Sequence, residues 1–187
     1  VALLLPVLLT SGACGYIGKV DFDGVAVHER DGVVYADGIA LRHARWVTVD
    51  VPAEAGALAL GSATRDISVA TVAPGTPGRL EAQLLSEHEG DGAVSLAGGR
   101  LEASSAAGGR VLVNGLRGTI PGGTRMDLRS GTGAISARLA HGLSGLRVEA
   151  GTGPVDLSGG SAGDLEVKSG TGDVRLAELG GGQALVS

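Results

Sequence analysis

Three short runs in the last third of the chain alternate apolar and charged residues, and each leads into the same three-residue motif. The runs are 126–129, 146–149 and 165–168, and they begin 20 and then 19 residues apart. The motifs that follow are Gly131-Thr132-Gly133, Gly151-Thr152-Gly153 and Gly170-Thr171-Gly172. Alternation with a period of two predicts a β-strand, and a second alternating run such as 173–176 follows each motif. Each unit is therefore predicted to be two strands joined at a glycine corner, and the fixed period predicts stacked units.

The charged positions of the three runs predict how the units stack. Alignment of the runs gives one column of Asp127, Arg147 and Glu166, and a second column of Arg129, Glu149 and Lys168. Both columns alternate in sign, so parallel stacking in register sets each charge beside its opposite, which stabilises a sheet. We assign these charges a structural role and no catalytic one. The threonines of the three corners are predicted to form a ladder of hydrogen-bonded turns, and an ice-binding threonine array is the alternative.

The repeat pattern extends upstream of residue 126, and together with the last third of the chain it predicts the fold class. Residues 58–69 match residues 165–176 in type, further units are predicted to begin near Leu80 and Leu101, and residues 93–96 and 111–113 are predicted strands. We predict an all-β, single-domain parallel β-helix (solenoid) over residues 46–187, with about six rungs of roughly 20 residues.

The composition agrees with thin aliphatic layers rather than a bulky core. The chain has 34 Gly, and its four aromatic residues all precede residue 47. A net charge of −5 argues against nucleic acid as a partner.

The first residues predict export. Residues 1–10 are apolar and too short to span a bilayer, and Ser11-Gly12-Ala13 provides a small-x-Ala cleavage pattern. We interpret residues 1–13 as a signal peptide. Cys14, the single cysteine, follows directly, and this arrangement resembles the lipobox of bacterial lipoproteins, although Ser11 stands where that motif usually has Leu. The resemblance implies lipidation of Cys14 and a membrane anchor; an ordinary signal peptide is the alternative. Residues 14–45 are predicted to be a tether or an N-terminal cap, with 25–27, 33–35 and Trp46 covering the first rung.

The chain resembles the bacterial putative-adhesin β-strand-repeat family, a family of unknown function with a parallel β-helical fold. The resemblance rests on the opening strand 46–53, the run 58–69 and the repeated Ser-Gly-Thr-Gly-x-[Val/Ile] pattern, and it covers residues 46–187. It implies an exported, often lipid-anchored protein of the cell envelope. The family brings no catalytic residue set.

Candidate chemistry is sparse in the sequence. Glu87, Glu89 and Asp91 precede Gly92 and match the first half of a calcium loop, but Gly98 stands where the bidentate Glu is required, so a solvated acidic loop is the preferred interpretation. Gly-x-Ser-x-Gly occurs once, at residues 159–163, a segment that we interpret as a plain turn, and no zinc spacing of His residues is present.

We therefore expect a non-enzymatic, lipid-anchored scaffold at the periplasmic side or the cell surface, structural or adhesin-like. No cofactor is expected, and the expected partners are the membrane and an envelope protein or surface ligand. The alternatives are an envelope-stress regulatory module and a carbohydrate-active β-helix enzyme. An acidic cluster beside an Arg in one groove would favour the enzyme, and flat, ladder-like charged faces would favour the scaffold.

Overall fold

A computed structural model describes residues 20–22, 24–181 and 184–186, which form β-strands and no helix. Four strands near the N-terminus pair antiparallel as the N-terminal sheet: β1 (Val20–Phe22), β2 (Val25–Arg30), β3 (Val33–Ala36) and β4 (Ile39–Leu41). The signal-peptide and Cys14 predictions lie outside the described residues. The described part contains no helix with the length and hydropathy of a membrane span.

The other strands form two seven-stranded sheets and a two-stranded one. Their strands are β5 (His43–Val51), β6 (Ala57–Ser62), β7 (Ile67–Val72), β8 (Gly78–Ser86), β9 (Ala93–Ala97), β10 (Arg100–Ser104), β11 (Val111–Pro121), β12 (Arg125–Ser130), β13 (Ile135–Arg138), β14 (Gly145–Ala150), β15 (Val155–Ser158), β16 (Ser161–Ala162), β17 (Leu165–Ser169), β18 (Val174–Ala177), β19 (Gly180–Gly181) and β20 (Ala184–Val186). Sheet I has the order β18-β15-β13-β7-β11-β8-β5, sheet II has the order β20-β17-β14-β12-β6-β10-β9, and β16 pairs with β19. The prediction of an all-β fold is confirmed.

The three motif-bearing runs pair in parallel with the predicted register. Met126 lies beside Leu146, and Leu146 lies beside Leu165, so both charged columns align as predicted. The strands after the corners, β13, β15 and β18, also pair in parallel. Residues 58–69 form β6 and β7 as predicted, and these strands pair in parallel with β12 and β13.

The units predicted near Leu80 and Leu101 are wrong, because this part of the chain pairs antiparallel. β8 lies antiparallel between β5 and β11, and β9 and β10 form a hairpin. Gly98 and Gly99 are the two loop residues of that hairpin, and both have positive φ angles, 56° and 80°. Positive φ at both positions produces the tight turn that joins antiparallel strands, so the chain reverses here instead of starting another parallel unit.

Sheets I and II enclose the main aliphatic core. Inward side chains of both sheets form one buried cluster, which includes Leu60 and Val148 from sheet II and Ile67, Leu116 and Leu157 from sheet I. Leu128, Ile135, Val155 and Val167 are completely buried in it. A second cluster joins the N-terminal sheet to the rest, because Val27, Val34, Ala36 and Leu41 pack with Ala63, Leu85 and Leu112.

Close backbone stacking explains the glycines of the corners. A Cβ on Gly151 would lie 2.2 Å from the carbonyl oxygen of Gly131, and a Cβ on Gly153 would lie 2.1 Å from that of Gly133. Between them, the backbone N–H of Thr152 donates to Gly131 O at 3.2 Å, and Thr171 repeats the contact on Gly151 at 3.2 Å. The corners thus form a ladder of backbone hydrogen bonds, and backbones can approach this closely only where a residue has no Cβ.

The corner between β6 and β7 is closed differently, by the chain's single asparagine. Asn114 is buried at a bulge of β11, and its Oδ1 accepts a hydrogen bond from the Thr64 hydroxyl at 2.8 Å. Its carbonyl oxygen accepts from the Ser62 hydroxyl at 2.6 Å. The Gly-Thr-Gly corners hydrogen-bond to one another through their backbones. At the corner between β6 and β7, the bulge of β11 and the Asn114 side chain provide the hydrogen bonds instead.

Candidate binding surface on the outer face of sheet I

The outer face of sheet I carries two straight rows of side chains, because neighbouring strands are in register. One row consists of Arg175, Asp156, Ser136, Ser68, Arg117, Glu81 and Thr48. The other row consists of Ala177, Ser158, Arg138, Ala70, Thr119, Arg79 and Asp50. Small residues in the middle of both rows leave a depression between longer side chains.

This depression, called the arginine depression below, has a volume of about 550 Å³. Ser68, Ala70 and Ser136 form part of its floor, and the side chains of Arg79, Arg117 and Arg138 surround it. Arg138 and Arg79 stand three strand spacings apart across Ala70 and Thr119, which is roughly 14 Å between their backbones. Two exposed guanidinium groups therefore flank a shallow floor with hydroxyl groups.

The three arginines differ in their partners. Arg117 donates from Nε to Glu81 Oε2 at 2.5 Å, and its guanidinium carbon lies 4.5 Å from the ring centroid of Trp46. Among the residues whose side chains the structure describes, 24–180, Arg79 and Arg138 take part in no ion pair, although Asp50 is the register partner of Arg79. The depression thus has a surplus of positive charge, with Glu81 as its single acidic lining residue.

A second depression adjoins the first and contains the chain's single tryptophan. This tryptophan depression, about 480 Å³, includes Trp46, Arg65 and Asp66, and it shares Ser68 and Arg117 with the arginine depression. Trp46 is 46% exposed, the largest exposed hydrophobic side chain among the described residues. The sequence pattern predicted that Trp46 covers the first rung. In the structure, β5 directs it onto the outer face of sheet I, against Arg117.

Sheet II has a groove of its own, of about 430 Å³, above β6. Ala59 and Gly61 give β6 a low outer surface, and the longer side chains of β10 and β12 border it. The charged residues that line the groove are Arg100, Glu102, Asp127 and Arg129. Arg129 and Asp127 form a two-point contact at 3.2 and 3.3 Å, so one acid of the groove is already paired with a base.

The charged columns of sheet II form ion pairs along the strands as well as between them. Arg147 lies 3.8 Å from Glu166 on the neighbouring strand, as the alternating signs predicted. Lys168 and Glu166 form a 2.8 Å contact within one strand instead. The hydrogen bond from Lys168, with the attraction of Arg147, lowers the pKa of Glu166 below its ordinary value. These charges thus pair with one another on the outer face of sheet II, in keeping with the structural role that the sequence suggested.

The calcium candidate residues are not gathered around one point. No group of three or more His, Cys, Asp or Glu residues within the described ranges is arranged to hold a metal ion. Asp91 instead closes the loop, because its Oδ2 accepts from the Ser105 hydroxyl and its Oδ1 accepts from the backbone N–H of Gly92 at 2.7 Å and of Ala106 at 3.1 Å. The Ser105 hydrogen bond, followed by those backbone contacts, lowers the pKa of Asp91 despite its desolvation. Glu87 accepts from the backbone N–H of Arg110 at 3.2 Å.

Sequence reasoning missed the residues of the arginine depression. Alternation alone places Arg138 outward beside the inward Ile135 and Ala137, and that signal was available. No such signal predicted that Arg79 and Arg117 lie beside Arg138, because their positions depend on the antiparallel pairing of β8 and β11. The Gly98-Gly99 pair between two alternating runs was the one local signal for such antiparallel structure.

Comparisons with known proteins give little beyond the geometry. No protein-family model matches the chain, and no curated protein matches it. A solved structure described as a putative cell adhesion protein from Clostridium sporogenes ATCC 15579 aligns over 76% of this chain and 97% of its own length, with 12% sequence identity and a TM-score of 0.41.

Proposed function

We propose that the protein is an exported, lipid-anchored and non-enzymatic component of the cell envelope that acts as a structural or adhesin-like binding scaffold. The main support for this proposal is the arrangement of side chains on the outer face of sheet I. Two rows of side chains run in register across seven strands there, and they include exposed arginines and an exposed tryptophan. A rigid sheet that presents side chains at fixed spacing, roughly 4.8 Å from strand to strand, suits the recognition of an extended ligand.

The anchoring part of the proposal rests on the leader pattern and is tested at Cys14. The full-length protein expressed in bacteria is compared with a Cys14→Ala variant by intact mass and by membrane fractionation. We expect a diacylglycerol-sized mass increase that the variant lacks, with loss of the variant from the membrane fraction. An unmodified protein that fractionates like the variant would refute the anchor.

The architectural part of the proposal is a parallel β-helix within residues 46–187. The in-register parallel pairing of β12, β14 and β17, and of β13, β15 and β18, supports it. Removal of one whole unit, residues 146–164, would bring Leu165 beside Met126 in the register that Leu146 now occupies. We expect this deletion to fold, with a β-rich circular dichroism spectrum and one cooperative unfolding transition.

A deletion of half that length, residues 146–155, is the matched control. It shifts the alternation of inward and outward residues out of register, so we expect it to unfold or aggregate. Equal behaviour of the two deletions would refute a stack of equivalent units.

A second candidate function, a carbohydrate-active enzyme, is favoured by one observation. The groove above β6 has Glu102 on one side and Asp127 on the other, two strand spacings apart across the sheet and two residues apart along it, which is about 12 Å between their backbones, with an arginine beside each. Paired carboxylates on either side of a sugar chain are the machinery of glycoside hydrolysis. Release of reducing ends from polysaccharides that is abolished in both Glu102→Gln and Asp127→Asn would establish this function in place of the scaffold.

A further inference from the structure

We propose that the joined depressions of sheet I bind an acidic polysaccharide, with Arg79 and Arg138 holding its carboxylate or sulfate groups and Trp46 stacking against a sugar ring. This inference deepens the proposed scaffold function and rests on it for its biological setting. Three properties of the surface lead to this ligand class: its charge, its aromatic residue and its length.

Charge is the first property. Arg79, Arg117 and Arg138 line one depression with a single carboxylate, Glu81, and that carboxylate is engaged by Arg117. Guanidinium groups bind carboxylate and sulfate oxygens through two parallel hydrogen bonds, which makes arginine well suited to planar or tetrahedral oxyanions. The exposed hydroxyl groups of Ser68 and Ser136 lie on the same floor and add donors for an oxyanion or a sugar hydroxyl.

The acidity of the whole protein makes this surplus informative. The net charge of the chain is −5, so its overall field repels polyanions. A positive depression within such a protein attracts an acidic ligand only at close range, where the arginines contact it. Binding should therefore depend on these particular side chains rather than on general basicity.

The aromatic residue is the second property. Trp46 is 46% exposed, and Arg117 lies over its ring and holds it in place. Tryptophan offers a large apolar surface with a polar edge, which favours recognition sites that are partly wet. One side of a pyranose ring exposes mainly C–H groups, and it stacks on such a surface while the hydroxyl groups of the sugar point to polar neighbours. Glu29, Arg65 and Asp66 line the same depression and are in place as these neighbours. The acidic groups of the ligand belong to the arginine depression, where Glu81 is the one acid.

Length is the third property. The two depressions share Ser68 and Arg117, and together they extend from β5 to β13, across four strand spacings or roughly 19 Å. This extent exceeds a single sugar ring and matches a short stretch of a chain. The ring site at Trp46 and the anion sites at Arg79 and Arg138 are thus placed to act on different units of one polymer.

The test uses the purified full chain and four polymers. Polygalacturonate carries carboxylates, heparin carries sulfates, dextran is a neutral polysaccharide, and polyphosphate is an anionic chain without sugars. Affinity is measured by isothermal titration calorimetry, and the fluorescence of the single tryptophan reports contact with Trp46. We expect one or both of the acidic polysaccharides to bind and to change this fluorescence, and the stronger of the two identifies the acidic group.

Two variants separate the contributions, and a third is the control. Arg79→Gln with Arg138→Gln removes the unpaired guanidinium groups and should weaken binding by roughly 10-fold or more, because hydrogen bonds to charged groups are among the strongest. Trp46→Ala should weaken binding of the polysaccharide and leave any binding of polyphosphate unchanged. Arg42→Gln with Arg125→Gln makes the same change in net charge at exposed positions outside the depressions, and it should bind like the wild type.

Several outcomes would overturn the proposal. They are no binding of either acidic polysaccharide, equal binding of polyphosphate, and equal weakening in the control double variant. Circular dichroism of each variant verifies that it is folded before its binding is interpreted. A wild-type protein that carries no lipid at Cys14 but binds the polysaccharide would refute the envelope anchor alone. A lipidated wild-type protein that does not bind the polysaccharide would refute this inference alone.

Discussion

The Gly153→Ala substitution tests the claim that close backbone stacking requires glycine in the corners. The added Cβ would lie 2.1 Å from Gly133 O, 2.4 Å from Gly133 C and 2.9 Å from Ala134 N. All three atoms belong to the backbone of the neighbouring corner, so no side chain can rotate away. A carbon and a carbonyl oxygen rest at about 3.3 Å or more, so the corners must separate by about 1.2 Å.

The expected cost follows from what that separation disrupts. Overpacking in a well-packed region costs about 1–3 kcal/mol. The stack is held by hydrogen bonds such as Gly151 N to Ser130 O at 2.9 Å and Thr152 N to Gly131 O at 3.2 Å. Weakening one of these adds about 1 kcal/mol, so we expect a total loss of about 2–4 kcal/mol in the free energy of unfolding. For a domain of this size, that loss lowers Tm by roughly 4–16 °C.

Chemical denaturation and thermal unfolding followed by circular dichroism measure this loss. Gly56→Ala is the matched control, because a Cβ on Gly56 meets no atom within 4 Å and its φ angle is not positive. It should leave the stability unchanged or raise it by about 0.4–1 kcal/mol through the unfolded chain. If Gly153→Ala unfolds at the same denaturant concentration as the wild type, the stacking argument for the motif fails.

Three further predictions concern stability. Asp91→Asn should destabilise the protein near neutral pH, because the pKa of Asp91 is lowered in the fold. The stability that the Asp91 carboxylate contributes is complete above the ordinary carboxyl pKa of 3.8 and disappears as the pH falls through the lowered pKa. Urea titrations of both proteins over a pH series measure this contribution. Arg147→Glu places a third acid between Asp127 and Glu166, so it should lower the denaturation midpoint further than Arg147→Gln does. Ser130→Ala removes the hydroxyl that donates to Gly133 O at 2.7 Å in a buried corner, and it should cost about 1–2 kcal/mol in equilibrium unfolding.

Each of these predictions has a contradicting result. A constant difference between wild type and Asp91→Asn down to strongly acidic pH would mean that the carboxylate charge does not stabilise its loop. Equal midpoints for the two Arg147 variants would mean that the charged column contributes nothing. A Ser130→Ala protein as stable as the wild type would show that the corner does not need this hydroxyl.

The parallel part of the fold was accessible from the sequence because its signals are local and repeated. Alternation decides which side chains face inward, and the 19- and 20-residue intervals decide which residues become neighbours. The Gly-Thr-Gly motif marked the corners correctly, although the reason for its glycines, a neighbouring backbone about 2 Å from a would-be Cβ, is visible only in the stacked structure.

The antiparallel part and the candidate binding surface were not accessible in the same way. Residues 78–121 alternate as well, but alternation does not specify strand direction, and no fixed period links β5, β8 and β11. Arg79, Arg117 and Trp46 are far apart along the chain and meet because β8 lies between two antiparallel neighbours.

The sequence by itself determined the all-β class, the strand faces, the corner positions and the register of the charged columns. Each of these depends on residue spacing within one unit or between identical units. Only the tertiary structure decided which way the strands of residues 78–121 run, how the N-terminal sheet packs through Leu85 and Leu112, and which outward residues share a depression. These features arise from contacts between segments that share no sequence pattern. The packing of the whole core, rather than any local preference, selects which of these segments pair.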